Sequence, residues 1–176
     1  DIQFDISLFL DFSIQEDLPS YKASNFNYRK PDLAINVLSK STWKNDLSEI
    51  QETCRALKIP RYVVFLAYPI APKIFPTPFM RLYTLNSKNL YESQELDKFT
   101  YINNDLADKN ARLDLGEEFP FDLGLEKLDR TYLGRKPRTR LILLKKDSAR
   151  KLLTQAENQK KRAEKEKKRA EKEKKR

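Results

Sequence analysis

The possible folds of this chain are limited most by residues 31–67. Two short apolar runs lie there, joined by a segment with a helical pattern. LAINVL (33–38) and RYVVFLA (61–67) are apolar almost throughout, which is typical of buried strands. Between them, Asp46–Lys58 has apolar residues at helical spacing. This apolar stripe consists of Leu47, Ile50, Cys54 and Leu57. Strand, helix and strand in this order, with antiparallel pieces around them, predict a mixed α/β sandwich.

Asn36 lies inside the first apolar run, where a polar amide is unusual. In an extended strand, Asp32 and Asn36 point to one side and lie about 13 Å apart at ~3.3 Å per residue. Asn36 is therefore either a buried amide that hydrogen-bonds a neighbouring backbone group or part of a functional site. Asp46 and Glu49 have the spacing of a capping box at the start of the predicted helix, which gives both acids a structural explanation.

The other patterns add strands and an irregular excursion. DIQFDISLFLDF (1–12) alternates and then becomes apolar, which predicts a strand, whereas Ser13–Lys30 is polar and is predicted as a loop. Four prolines in residues 68–79 forbid regular structure there. Further strands are predicted at MRLYTL (80–85), FTYIN (99–103), LGLEKL (123–128) and RTRLILL (138–144), and a last helix is predicted to start at Ser148.

Positive charge is concentrated near the C-terminal end. Residues 155–176 contain 11 of the 35 Lys and Arg and 5 of the 26 Asp and Glu, so they carry +6 of the net charge of +9. The unit RAEKEKK repeats there with a period of seven, but each unit has one small Ala where a coiled coil needs two apolar positions. Opposite charges four residues apart favour a solvated helix instead, at ~0.2–0.5 kcal/mol per pair. A weak self-association or nucleic-acid-tethering arm is the alternative.

Composition narrows the possible chemistry. The chain has no His, which excludes His-based acid–base catalysis and His metal ligands. Its single cysteine, Cys54, excludes an internal disulfide, fits a cytoplasmic, reducing compartment and is predicted to be plain core. No apolar run approaches the ~18 residues of a membrane span. The chain begins at Asp1 and enters a strand pattern at once, so we expect that an upstream segment is missing.

Residues Pro31 to Phe65 resemble the signature of the Uma-type restriction endonucleases, a family of the PD-(D/E)XK nuclease superfamily that is numerous in cyanobacteria. Members show Pro-Asp, an apolar pair, Glu and Leu-Ser-x-Ser-Thr, followed by an Asp, a Lys-bearing helix and a Gly-Val-x-Glu-Tyr turn. The residues in register here are Pro31, Asp32, Leu38, Ser39, Ser41, Thr42, Asp46, Pro60 and Tyr62. The opening strand is similar to the family's upstream strand, with Asp5 at an acidic position and Phe4 where Pro is usual. The charged C-terminal end is similar to the tails of cyanobacterial members.

The resemblance implies Mg²⁺-dependent hydrolysis of DNA phosphodiesters, with two carboxylates on the metal and a Lys that offsets developing charge. By position, Asp5 is the first carboxylate and a metal ligand, Asn36 stands where the family has its Glu, and Ile50 where it has its Lys. Asn brings no negative charge to a metal and Ile removes the cation, so we expect catalysis to be impaired or lost. We also expect Asp5 and Asn36 on adjacent strands, facing one pocket. Residues that would rescue the site are Glu49 and Glu52 on the helix, and Lys40 and Lys44 in the turn.

The segment RTYLGRKPRTR (130–140) is the candidate DNA contact. Its cations are Arg130, Arg135, Lys136, Arg138 and Arg140, and Tyr132 lies among them. A solvated strand-edge face is the alternative reading of this segment. Trp43, beside the presumed site, is predicted to pack against the sheet rather than to stack on a base.

Together these features predict an α/β fold: a restriction-endonuclease-like mixed β-sheet with flanking helices in residues 1–147, plus a charged C-terminal helix in residues 148–176. Two functions stay open. The first is a Mg²⁺-dependent DNA endonuclease with a degenerate active site. The second is a non-catalytic nuclease-fold module whose charged tail binds a partner or another copy of the chain. DNA and a homo-oligomer are the expected partners, with no membrane.

Overall fold

The computed structural model describes residues 3–11, 24, 27–71, 73–129, 139–153, 158–159 and 162–163. Within these ranges, nine strands form two mixed sheets, and two short helices accompany them. The predicted mixed α/β class is confirmed, although one sheet was predicted and two are found. No helix in the described ranges is long and apolar enough to cross a membrane.

The first sheet contains five strands in the order β1-β2-β3-β4-β5. These are β1 (Ile6–Leu8), β2 (Leu33–Val37), β3 (Arg61–Phe65), β4 (Met80–Leu85) and β5 (Tyr91–Leu96). Strands β2 and β3 are parallel, and the other neighbours are antiparallel. The connection between the parallel pair carries both helices, α1 (Trp43–Asp46) and α2 (Glu49–Ala56). Asn36 thus lies near the end of β2, and Asp46 lies in the connection that leads to β3.

The second sheet has four strands in the order β7-β6-β8-β9. These are β6 (Tyr101–Ile102), β7 (Asp105–Leu106), β8 (Phe121–Lys127) and β9 (Thr139–Lys145). Asn103 and Asn104 join β6 to β7 with φ of 50° and 74°, as a tight hairpin turn requires. Of the strand predicted at residues 99–103, only the part in β6 forms, while β5 (YESQEL) was not predicted.

Alternation along the strands of the first sheet creates two apolar layers. One face packs against the second sheet in an inter-sheet core, to which β2 contributes Leu33 and Ile35. The other face packs under the helices in a helix-side core, to which β2 contributes Ala34. Further members of the inter-sheet core are Val63, Met80, Leu82, Leu113, Leu123 and Leu125, and further members of the helix-side core are Cys54, Tyr62, Val64, Phe75 and Tyr83. The alternation of β2 thus turns Leu33 and Ile35 toward the second sheet, whereas Ala34 and Asn36 lie on the side of the helices.

The helix predicted over Asp46–Lys58 is confirmed as α2 (Glu49–Ala56), but it is shorter at both ends, and the chain breaks between α1 and α2 at the predicted start. Asp46 ends α1 instead of capping a helix, and Ser48 occupies the N-cap position of α2 without a side-chain capping bond. The hydroxyl of Ser48 instead donates to the carbonyl oxygen of Lys44 at 2.6 Å. The predicted stripe holds for Cys54, which is buried, but Leu57 at the helix end is 41% exposed. The capping box predicted for Asp46 and Glu49 is wrong, because the side chain of Asp46 points into the protein.

Two predicted irregular regions and the last helix can also be compared with the structure. Residues 68–71 and 73–79 contain no strand or helix, as predicted. The helix predicted from Ser148 is wrong, since the chain turns at Ala149 (φ 52°) and pairs Lys151 with Leu144 in an antiparallel bridge. Residues 158–159 and 162–163 are helical. The rest of the predicted tail helix, and most of the loop predicted at 13–30, lie outside the described residues.

Candidate functional site

Asn36 lies near the end of β2 on the face that is turned toward the helices. The residue is only 5% exposed, and its strand neighbour on the same face, Ala34, is fully buried. A buried amide has two donor hydrogens and one acceptor oxygen that must find partners inside the protein. The surroundings of Asn36 are therefore the centre of the candidate site.

All polar atoms of the Asn36 side chain have partners. Its Oδ1 accepts a hydrogen bond from the backbone N–H of Asp5 at 3.2 Å. Its Nδ2 donates to Asp46 Oδ1 at 3.0 Å and lies 3.4 Å from the hydroxyl oxygen of Tyr62. Asn36 thus connects the residue before β1, the end of α1 and β3. Of the two alternatives that the sequence left open, this is the buried and hydrogen-bonded amide.

Asp46 is the carboxylate of this network. It is 5% exposed, its Oδ1 accepts the bond from Asn36, and its Oδ2 has no hydrogen-bond partner among the described residues. Its backbone carbonyl oxygen accepts a bond from the Tyr62 hydroxyl at 3.0 Å. The break between α1 and α2 places this acid inside the protein rather than at a helix start.

Tyr62 closes the network from β3. Its ring is fully buried and stacks on Tyr83 with 5.8 Å between ring centroids and 18° between planes. Burial, and then the nearby charge of Asp46, raise the pKa of the Tyr62 hydroxyl far above its usual value. The Tyr62 hydroxyl is therefore a neutral group that donates to the backbone carbonyl oxygen of Asp46, and it is not available as a general base.

Asp5, the predicted metal ligand, directly precedes β1 and is exposed. Its carboxylate Oδ2 accepts the backbone N–H of Val37 at 2.7 Å, while its own N–H bonds Asn36. The structure therefore brings Asp5 and Asn36 together where β1 pairs with β2, which is the adjacency that we expected. That their side chains face one pocket stays a prediction. The contact uses the backbone of Asp5 rather than its carboxylate, and the metal-binding role stays a prediction.

Ile50, where the resemblance expects a Lys, lies on α2 and is partly buried against the helix-side core. The four alternative rescue residues are all exposed on the helix or the turn. Among them, Glu52 pairs with Arg55 at 2.7 Å, and the Lys44 ammonium lies 5.5 Å from the centre of the Trp43 ring. The Trp43 ring packs edge-on against Phe75, with 5.3 Å between ring centroids, and lies against the helix-side core, to which β2 and β3 contribute.

The donor set at this point does not fit a Mg²⁺ ion as it stands. Magnesium is held by oxygen ligands and usually by one or two carboxylates. Here the amide nitrogen of Asn36, a donor, faces the nearest buried carboxylate, Asp46. In the described part of the chain, no group of three or more His, Cys, Asp or Glu side chains is arranged to hold a metal ion.

Of the cations in the basic segment proposed for DNA contact, only Arg140 lies in the described residues. Its guanidinium lies on β9 and bonds the carboxylate of Glu126, which is 0% exposed. Arg130, Arg135, Lys136 and Arg138 lie outside the described residues. Arg140 thus has a structural partner, and its contact with DNA stays a prediction.

Sequence reasoning missed two buried carboxylates in the second sheet. Glu126 accepts bonds from Lys151 Nζ at 3.1 Å and from the backbone N–H of Asn104 at 2.9 Å, in addition to Arg140. Asp122 lies 3.3 Å from Arg112 Nη1 and 3.5 Å from Lys146 Nζ. Burial raises the pKa of the Asp122 carboxyl, and these two cations oppose that effect. The signal was the alternation of Asp122, Gly124 and Glu126 within an otherwise apolar strand.

Comparison with known proteins finds no family model, no curated protein and no solved structure that matches this chain.

Proposed function

We propose that this chain is a Uma-type endonuclease-fold protein, related to Mg²⁺-dependent DNA hydrolases, in which the catalytic centre is impaired. The observation that carries the proposal is the contact between Asp5 and Asn36. These are the two positions to which the sequence resemblance assigns catalytic carboxylates. The backbone N–H of Asp5, just before β1, lies 3.2 Å from Asn36 Oδ1 on the neighbouring β2, and the Asp5 carboxylate accepts the N–H of Val37. Residues that are distant in sequence and belong to one motif are expected to meet in this way.

Impairment follows from the two substituted positions. Asn36 offers a neutral amide where a metal needs a negative oxygen, and Ile50 packs its apolar side chain where a transition state needs a cation. The third position, Asp5, keeps its carboxylate and is exposed to solvent. A centre with one of three charged groups has lost most of the electrostatic stabilisation that drives phosphodiester hydrolysis.

A non-catalytic interaction module is the second candidate. It is favoured by the fact that every polar atom of the Asn36 side chain already has a hydrogen-bond partner. An amide that is satisfied by Asp5, Asp46 and Tyr62 stabilises the fold without help from a metal. In this reading, the charged tail binds a nucleic acid, another partner or a second copy of the chain. A cytoplasmic location belongs to both readings, and DNA is the substrate in the first.

The two candidates are separated by restoring the missing charges. We expect the unaltered chain to nick supercoiled plasmid DNA poorly or not at all in the presence of Mg²⁺. The double substitution Asn36→Glu/Ile50→Lys supplies a second carboxylate and a cation, so nicking should increase by ~10²-fold or more. Each single substitution should do much less, because residues of one catalytic unit act together.

The matched control is Asn36→Gln/Ile50→Met, which makes side chains of similar length without charge and should stay inactive. Asp5→Ala in the reverted background should abolish any gain. Circular dichroism must show that each variant is folded, since a Lys in the helix-side core carries a cost. Rapid Mg²⁺-dependent cleavage by the unaltered chain that persists after Asp5→Ala would overturn the proposal. A folded, inactive reverted chain would favour the non-catalytic module.

A further inference from the structure

Asp46 is the least satisfied group of the site. One oxygen of its buried carboxylate accepts the bond from Asn36, and the other has no hydrogen-bond partner among the described residues. A buried carboxylate has about four lone-pair positions, and leaving them without donors costs free energy. The site therefore contains a buried carboxylate with fewer hydrogen-bond donors around it than its oxygens can accept.

The orientation of the Asn36 amide is fixed by its neighbours. The backbone N–H of Asp5 is a donor, so it must face the amide oxygen, and it lies 3.2 Å from Oδ1. The amide nitrogen is consequently turned toward Asp46, 3.0 Å from its Oδ1. A side chain of the same shape with two oxygens would place negative charge at that distance from the Asp46 carboxylate.

We propose that the Asn36 amide takes the place of a divalent cation in this site, and that Asp46 is a carboxylate ligand the site retains. A carboxylate at position 36 would lie against the buried Asp46 carboxylate. Two such groups repel when both are ionised, and either a shared proton or a cation between them relieves the repulsion. On this proposal the unaltered chain needs no metal to fold, and a single substitution makes its stability depend on one wherever both carboxyls are ionised. This inference rests on the proposed function only in taking Mg²⁺ or its analogue Mn²⁺ as the cation.

The test is a cycle of isosteric substitutions in the full chain: Asn36→Asp, Asp46→Asn and the two combined. Thermal unfolding is measured in EDTA and in Mn²⁺ at mildly alkaline pH, where a proton shared by the two carboxyls is disfavoured, and Mn²⁺ binding is measured by calorimetry. We expect no effect of Mn²⁺ on the unaltered chain. Asn36→Asp should lower Tm in EDTA, recover it in Mn²⁺, and bind Mn²⁺ ~10–100-fold more tightly than the unaltered chain. The combined variant restores one amide facing one carboxylate, so its Tm should again be independent of metal.

The matched control is Asn45→Asp, which makes the same chemical change at the exposed residue next to Asp46 and should gain no Mn²⁺ affinity. The inference is overturned if Asn36→Asp gains no affinity, or if it stays unfolded in Mn²⁺. It is equally overturned if Mn²⁺ stabilises the combined variant as strongly as Asn36→Asp, or if the unaltered chain binds Mn²⁺ through Asp46.

The outcome is separate from the nuclease assay because no DNA is present. A metal site that forms in Asn36→Asp, together with no nicking by Asn36→Glu/Ile50→Lys, would remove the proposed function and leave this inference standing. Restored nicking without any role of Asp46 in Mn²⁺ binding would remove this inference alone.

Discussion

The side chain of Asn36 is held by neighbours from three different elements, which explains how an apolar strand tolerates it. Each hydrogen bond contributes ~0.5–1.5 kcal/mol net, but a lost partner leaves a buried group unpaired at ~1–3 kcal/mol. Replacing Asn36 by an apolar residue would also strip Asp46 of its only side-chain hydrogen bond among the described residues. The amide at this single position therefore governs the state of a second buried group.

The end of α2 contains a residue in a conformation that suits glycine. Lys58 has φ of 56°, and the following N–H, of Ile59, bonds the carbonyl oxygen of Cys54 at 3.0 Å. The N–H of Lys58 itself bonds Arg55 at 2.9 Å, which completes a Schellman motif. The left-handed region is unfavourable for a side chain with a Cβ atom.

Lys58→Gly should therefore stabilise the protein. Relief of the left-handed strain is worth ~1 kcal/mol, and a chain of this size should gain ~2–4 °C in Tm. Thermal unfolding followed by circular dichroism measures the change. Ala56→Gly, the same new residue within the helix, is the control and should lower stability by ~0.5–1 kcal/mol. A loss of stability in Lys58→Gly would mean that the Lys side chain matters more than the backbone.

Among the elements, strand β8 depends on a close approach that only glycine allows. A Cβ atom on Gly124 would lie 2.7 Å from Leu144 Cδ1 and closer still to the hydroxyl of Thr100. That hydroxyl donates to the carbonyl oxygen of Ala111 and accepts the N–H of Leu125 at 3.1 Å. Thr100 thus ties the start of β6 to β8, and Gly124 leaves the space for it.

Gly124→Ala should destabilise the protein by ~1–3 kcal/mol, because overpacking pushes Thr100 and Leu144 away from their partners. Urea unfolding gives the free energy, and hydrogen exchange at the Leu125 amide should speed up. The control is Ser93→Ala on the exposed edge strand β5, for which we expect a change within about 0.5 kcal/mol. Equal stability of Gly124→Ala and the unaltered chain would contradict the packing argument.

The elements that were predicted well from the sequence are those with a clear pattern of apolar side chains. β2, β3 and β4 are apolar and were placed correctly, whereas β5 has few apolar side chains and forms at the sheet edge through its backbone bonds to β4. The contact of Asp5 with Asn36 could be predicted from the motif. The role of Asp46 could not, since its spacing to Glu49 imitates a helix cap and its inward turn depends on a residue ten positions away.

At the scale of the whole molecule, the helices, the first sheet and the second sheet form three layers. Residues 149–153 complete the second sheet by covering the free edge of β9. The N–H of Leu152 bonds Leu143 at 2.8 Å, Lys151 bridges Leu144, and Lys151 Nζ reaches Glu126 at 3.1 Å. The boundary predicted at 147/148 stays a prediction, and these contacts favour a later one.

A chain that ends at Leu153 should therefore keep the stability of the full chain, whereas a chain that ends at Asp147 should lose on the order of 3 kcal/mol. Removing one partner from a buried ion pair costs ~3–5 kcal/mol, and the edge of β9 becomes exposed as well. Urea unfolding of the two truncated chains measures the difference. Lys151→Met in the full chain removes the ion pair with Glu126 but keeps the backbone bonds to β9, so it measures the contribution of the charge alone. Equal stability of both truncations would show that residues 148–153 contribute nothing.

The contact between Asn36 and Asp46 also constrains the order in which substitutions can accumulate at these two positions. If our proposal for this contact holds, a change from Asn to an acid at position 36 with Asp46 in place is penalised wherever divalent cations are scarce. If position 46 changes to an amide first, an acid at position 36 no longer faces a second carboxylate, but the ligand that we propose for Asp46 is lost. Natural sequences in which position 36 is acidic and the chain folds without metal should therefore have a residue other than Asp at position 46.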